Sequence, residues 1–178
     1  MVNADKRATG KIVSYTSTAA RPAPAGLEGK VKQEIVEAIN PLIADGFALY
    51  EKTKNFSLNA AGSHNPDNKF LFGEQAEEIF ASVDTLAEQV RQIGATPLRS
   101  ISHSGELQSV ENYNGDFLSP GEMIAELIAG NQQIAASLLV AAKICEKMYD
   151  APLGIILQDI LDKTERRIRL LGEAEMKI

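Results

Sequence analysis

Lys54-Asn55-Phe56-Ser57-Leu58-Asn59-Ala60-Ala61-Gly62 is a polar elbow between two apolar-periodic stretches, the second of which carries Asp84-Thr85-Leu86-Ala87-Glu88. Upstream, Ile35, Ile39, Leu42, Ile43, Phe47 and Tyr50 recur at three- and four-residue intervals, the spacing of an amphipathic helix. Pro41 interrupts that run, so a kink or a late start is expected there. Downstream, Phe72, Ala76, Ile79, Val83, Leu86, Val90 and Ile93 keep the same rhythm until Gly94, which suits the C′ position that ends a helix. A helix places Asp84 and Glu88 one turn apart on one face. Two carboxylates so arranged either hold a cation or face water.

Beyond Pro97 the connection runs to about Ser119, too long for a plain turn, with Ile101, Leu107 and Val110 marking a short helix within it. Connections of this length are crossovers or functional segments. Ser119-Pro120-Gly121-Glu122 then opens a third long helix as a capping box with proline at N1, and its stripe is Met123, Leu127, Ile134, Leu138, Ala142 and Cys145. Asp150-Ala151-Pro152 opens a fourth, whose Ile156, Ile160, Leu161, Ile168 and Leu171 end before Gly172. No strand pattern competes. The expected fold is all-α, a four-helix bundle with a long crossover containing a short helix.

The 178 residues suit one domain, and a chain of this size buries roughly 70% of its unfolded surface. Cys145 is the single cysteine, which excludes an intrachain disulfide and suits a reducing, cytoplasmic setting. No secretory leader or uninterrupted transmembrane run is read from the sequence. The net charge of -6 hides an asymmetry. Residues 1–27 hold Lys6, Arg7, Lys11 and Arg21 against Asp5 alone, among prolines, glycines and small polar residues. That composition reads as a flexible basic tail in front of a bundle domain at 28–178. Lys6, Arg7, Lys11 and Arg21 are the candidate DNA-binding residues, through non-specific phosphate contacts that an oligomer would multiply.

Several stretches together resemble the Dps family, the ferritin-like DNA-binding proteins from starved cells. They are Leu49 to Phe56, Gly73 to Phe80, Asp84 to Arg91, Thr96-Pro97-Leu98-Arg99-Ser100-Ile101 and Thr164-Glu165-Arg166-Arg167. The resemblance covers nearly all of the chain outside the tail. It implies a cytoplasmic dodecameric cage that binds and stores iron, oxidises Fe(II) and protects DNA against oxidative damage. It also implies an iron centre at a dimer interface, with histidines from one subunit and carboxylates from its mate. Imidazole with carboxylate suits Fe(II).

On that resemblance Asp84 and Glu88 are the carboxylate ligands. Ser57 stands where the motif Lys-Asn-Phe-His-Trp-Asn has its histidine, Lys69 where a second histidine is expected, and Gly73 where a further carboxylate is expected. Ser57 is a poor ligand, Gly73 offers none and an ammonium at Lys69 repels a cation. Iron oxidation is therefore expected to be weakened or lost, leaving no catalytic residue assigned. Lys69 is expected instead to set its charge between Asp84 and Glu88 of a neighbouring chain. His64 and His103 are read as loop or surface residues. A non-catalytic structural or DNA-compacting shell of the same fold is the competing reading. A di-iron centre inside the bundle requires Glu-x-x-His pairs, and the sequence contains none.

Overall fold

The computed structural model describes residues 29–60, 66–113, 118–147 and 151–178. Five helices follow in order: α1 (Gly29–Asn59), α2 (Pro66–Gln92), α3 (Ile101–Leu107), α4 (Pro120–Lys147) and α5 (Ala151–Glu175). The four long helices form the bundle, and α3 lies against α1. Helices α1 and α2 make one hairpin, with Tyr50 beside Phe80 and Lys54 paired to Glu77. Helices α4 and α5 make the other. Contacts of Leu49 with Gly130 and of Lys52 with Glu126 run α4 antiparallel to α1. Since α2 is also antiparallel to α1, α2 and α4 point the same way. The chain between them must travel the length of the bundle, which is why the crossover is long.

Asp45 fixes that crossover. Its carboxylate, 1% exposed, accepts hydrogen bonds from the Ser109 backbone N–H, the Ser109 hydroxyl at 2.8 Å and the Val110 N–H at 2.9 Å. Val110 is thereby held in the core. A buried carboxylate would be costly without those donors. At the exit of α2, Gly94 has φ 71° and closes a Schellman motif: its N–H donates to Arg91 O at 2.9 Å and the Ala95 N–H to Val90 O at 3.1 Å. Lys32 donates to the Gly94 carbonyl at 2.5 Å and ties the start of α1 to that end. The capping box of α4 is present. The Ser119 N–H donates to Glu122 at 2.8 Å and the Glu122 N–H to Ser119 Oγ at 3.4 Å. The Ser119 hydroxyl, then its N–H, hold the Glu122 carboxyl below its ordinary range.

Three boundaries differ from the sequence reading. Pro41 lies inside α1, which already begins at Gly29, so there is no late start. Loss of one ladder bond costs about 3 kcal/mol. The residues on either side, Ile35, Ile39, Leu42 and Ile43, are all buried, and each such side chain contributes about 1.5–3 kcal/mol. The elbow is shorter than expected, because Lys54 to Asn59 are helical. Thr53, Phe56 and Ser57 continue the inner face of α1, and Asn59 donates to the Asn55 side chain at 2.6 Å. Residues 61–65, including His64, lie outside the described residues, as do 1–28 with Lys6, Arg7, Lys11 and Arg21. Gly172 does not end α5, because Leu171 and Ala174 are buried and carry its stripe another turn. On α4 the buried small residue is Ala141, with Ala142 at its edge. By length and composition α4 is apolar enough to cross a membrane, yet Met123, Ile124, Leu127, Ile134 and Leu138 pack into the core.

Helices α1 and α2 approach most closely at Gly46, where an added Cβ would lie 2.5 Å from Val83 Cγ2. Val83 is buried and β-branched, so it cannot swing away freely. Gly46→Ala is expected to lose stability, since overpacking costs about 1–3 kcal/mol against about 1 kcal/mol returned by helix propensity. Adding Val83→Ala makes room. Chemical denaturation of both single variants and the double should show a favourable coupling of about 1 kcal/mol; additive losses would mean that the helices separate at little cost.

Candidate metal centre

The apolar stripes determine where polar side chains can lie. On α2, Phe72, Ala76, Ile79, Val83 and Leu86 face the core, which turns Asp84 and Glu88 to solvent. Neither carboxylate makes an ion pair or side-chain hydrogen bond among the described residues. At the other end of α2, Ser57 Oγ donates to the Lys69 carbonyl at 3.0 Å. A Cβ at Gly73 would sit 3.5 Å from the same hydroxyl. The structure thus brings Ser57, Lys69 and Gly73 together where α1 and α2 meet, with Ser57 buried and the Lys69 side chain exposed.

It does not bring them to Asp84 and Glu88 of the same chain. Lys69 and Asp84 are fifteen residues apart on one helix, about 22 Å at 1.5 Å per residue. Among the described residues no three His, Cys, Asp or Glu side chains gather in a way that would hold a metal ion. The donor set at the elbow does not fit iron either. The Ser57 hydroxyl is spent on a backbone carbonyl, Gly73 has no donor, and Lys69 presents an ammonium. His103 lies on α3, where its backbone N–H donates to Ser100 Oγ at 3.2 Å. Its half-buried ring has Nδ1 without a partner in the described structure, and no carboxylate joins it in a metal-holding group. Of the other acids on long helices, Glu126 pairs with the nearly buried Lys52 at 2.9 Å and Asp159 with Lys163 at 2.6 Å.

A second polar group lies inside the bundle and was not anticipated. Gln75, Asn131, Thr164 and Arg167 are all buried. Arg167 Nε donates to Asn131 Oδ1 at 2.8 Å, one terminal nitrogen to Thr164 Oγ1 at 2.8 Å and the other to Glu78 at 3.0 Å. Arg166 reaches the second oxygen of Glu78 from outside at 2.5 Å. Burial pulls the Arg167 guanidinium below its ordinary pKa, and Glu78 opposes that pull. In ferritin-like di-iron proteins the bundle interior instead holds glutamates and Glu-x-x-His pairs from four helices. Here a guanidinium takes the centre, bonded to side chains of α2, α4 and α5. The signal was present as gaps in the stripes: Asn131 fills the place between Leu127 and Ile134, and Thr164 and Arg167 fill those between Ile160 and Leu171.

Residues 36–175 match the family described as ferritin-like domain. A low temperature-induced protein from Nostoc sp. is 27% identical over 64% of this chain, and the match spans only 63% of that relative's length. A DNA protection during starvation protein from Brevibacillus brevis is 26% identical over 82% of this chain and 97% of its own. Among solved structures, DpsC from Streptomyces coelicolor superposes with a TM-score of 0.82 at 19% identity, covering 87% of this chain and 91% of that one. At that identity the likeness concerns the fold.

Glu78→Ala is expected to cost about 3 kcal/mol, because it strands a buried guanidinium. Arg167→Met in the same chain removes the stranded charge and should recover part of the loss. Thermal melts of the two variants decide the matter. A further drop in the double variant would show that Asn131 and Thr164, rather than Glu78, carry the cluster.

Proposed function

The chain belongs to the ferritin-like domain family, in its Dps branch, and from that premise we propose that it is the subunit of a cytoplasmic, dodecameric Dps-like cage. The cage binds and stores iron and protects DNA from oxidative damage, and its iron-oxidising centre is weakened or lost. The observation that carries this reading is the divided state of the site. Asp84 and Glu88 are exposed on α2, while Ser57, Lys69 and Gly73, which this reading takes as the opposite half of a two-chain centre, lie together where α1 and α2 meet. Carboxylates still give iron, as cargo, a place to bind. Among the described residues no imidazole joins them to complete a site for Fe(II) oxidation.

DNA protection on this reading has two parts. Twelve basic tails supplying Lys6, Arg7, Lys11 and Arg21 would hold DNA by phosphate contacts, with affinity that falls steeply as salt rises. Sequestered iron would be kept away from peroxide. The exposed Lys69 favours one other reading, a shell that compacts DNA without redox chemistry. Iron-dependent consumption of oxygen or peroxide separates the two.

The purified protein is expected to run as a closed particle, and a mass near the 19.2 kDa of one chain would sink the cage. Deleting residues 1–27 should abolish DNA retention in gels while leaving the particle intact. Wild-type protein should oxidise Fe(II) slowly. The combined variant Ser57→His, Lys69→His and Gly73→Asp should be several times faster, since the space at Gly73 admits a side chain at ordinary contact distance. No gain over wild type would place the iron chemistry elsewhere.

A further inference from the structure

The exposed face of the α1–α2 hairpin carries several large apolar side chains and charges in a particular order. Phe47 and Phe80 meet edge to face with centroids 6.3 Å apart, and Tyr50 lies 5.1 Å from Phe80. Toward the elbow Leu58 is 68% and Phe70 70% exposed. Large apolar side chains grouped on one face of a soluble chain mark a contact surface. Along α2 the same face reads Phe70, Gly73, Glu77, Phe80, Asp84 and Glu88, close to a seven-residue repeat about Glu77.

A second copy of this chain fits that order. If two α2 helices lie antiparallel about a two-fold axis at Glu77, each residue meets the one equally far beyond the axis on its mate. Lys69 lies about 12 Å before the axis, Asp84 about 10 Å after it and Glu88 about 16 Å after it, at 1.5 Å per residue. The ammonium therefore arrives between the mate's two carboxylates. The two Glu77 side chains nearest the axis would repel each other, and each is already neutralised by Lys54 of its own chain at 2.7 Å. Among the described residues, Lys69, Asp84 and Glu88 have no such side-chain partner.

We propose that the ammonium of Lys69 reaches across a two-fold interface on the α1–α2 face and takes the place of a metal cation between Asp84 and Glu88 of a second copy. This rests on the cage reading above. Assembly is then held at this point by a charge the protein carries itself, and does not respond to iron. The same ammonium keeps iron out of the shared site, because a cation entering it would have to displace a covalently tethered one.

The test uses two full-length variants that fail in opposite ways. Lys69→Glu sets three negative charges together, and Asp84→Lys with Glu88→Lys sets three positive charges together. Each should dissociate at salt concentrations where wild type stays closed, as read by sedimentation. Because each interface of a mixed pair joins Glu at 69 to Lys at 84 and 88, or the native Lys69 to native Asp84 and Glu88, mixing the two should restore the particle. Variants that assemble like wild type, or folded variants whose mixture stays dissociated, would overturn the proposal. If either fails to fold, wild type decides: carbodiimide treatment of mixed light and heavy-isotope copies should give an amide between Lys69 of one and Asp84 or Glu88 of the other. Absence of that between-copy link overturns it. A closed particle lacking the link removes only this charge substitution, whereas a monomeric wild type removes the cage as well.

Discussion

A guanidinium buried at the centre of the bundle constrains everything around it. Arg167 is 2% exposed, and a charge taken out of water costs several kcal/mol unless its donors are bonded and its charge is met. Asn131, Thr164 and Glu78 meet those needs from α4, α5 and α2. The register of three helices is thereby coupled to one side chain. A slip of one residue in any of them would carry a partner away from the guanidinium and leave a donor unbonded. Directional bonds specify what apolar stripes alone leave loose.

The same logic recurs at the crossover. Asp45 is buried in α1, where the hydroxyl and backbone N–H groups of Ser109 and the Val110 N–H satisfy it. That holds the long connection against α1 at one height. At Ser119 a capping box and a proline at the first position set the start of α4. Gly46 opposite Val83 and Gly130 opposite Leu49 then bring α1 close to α2 and to α4. Polar anchors set the register, and small residues set the spacing.

Arg167 occupies the interior, where related bundles place carboxylates and histidines, and Lys69 stands at the elbow beside a serine and a glycine that supply no usable ligand. They differ in consequence. The interior guanidinium is satisfied within one chain, while Lys69 and the carboxylates Asp84 and Glu88 remain open at the surface.

Much of the fold was legible in the chain itself. Apolar residues at intervals of three and four marked four long helices, Gly94 marked the end of one, and Ser119-Pro120-Gly121-Glu122 the start of another, because capping is local chemistry written in neighbouring residues. The resemblance, not local chemistry, singled out Asp84, Glu88, Ser57, Lys69 and Gly73, and the structure groups the last three at the elbow while setting the two carboxylates apart on α2. Tertiary structure alone decided the rest. Pro41 stays within a helix and Gly172 does not end one, since burial on both sides outweighs a local preference. Arg167 and Asp45 find their partners 89 and 64 residues away along the chain. Whether a charge is buried depends on what other helices bring to it, and no local pattern encodes that.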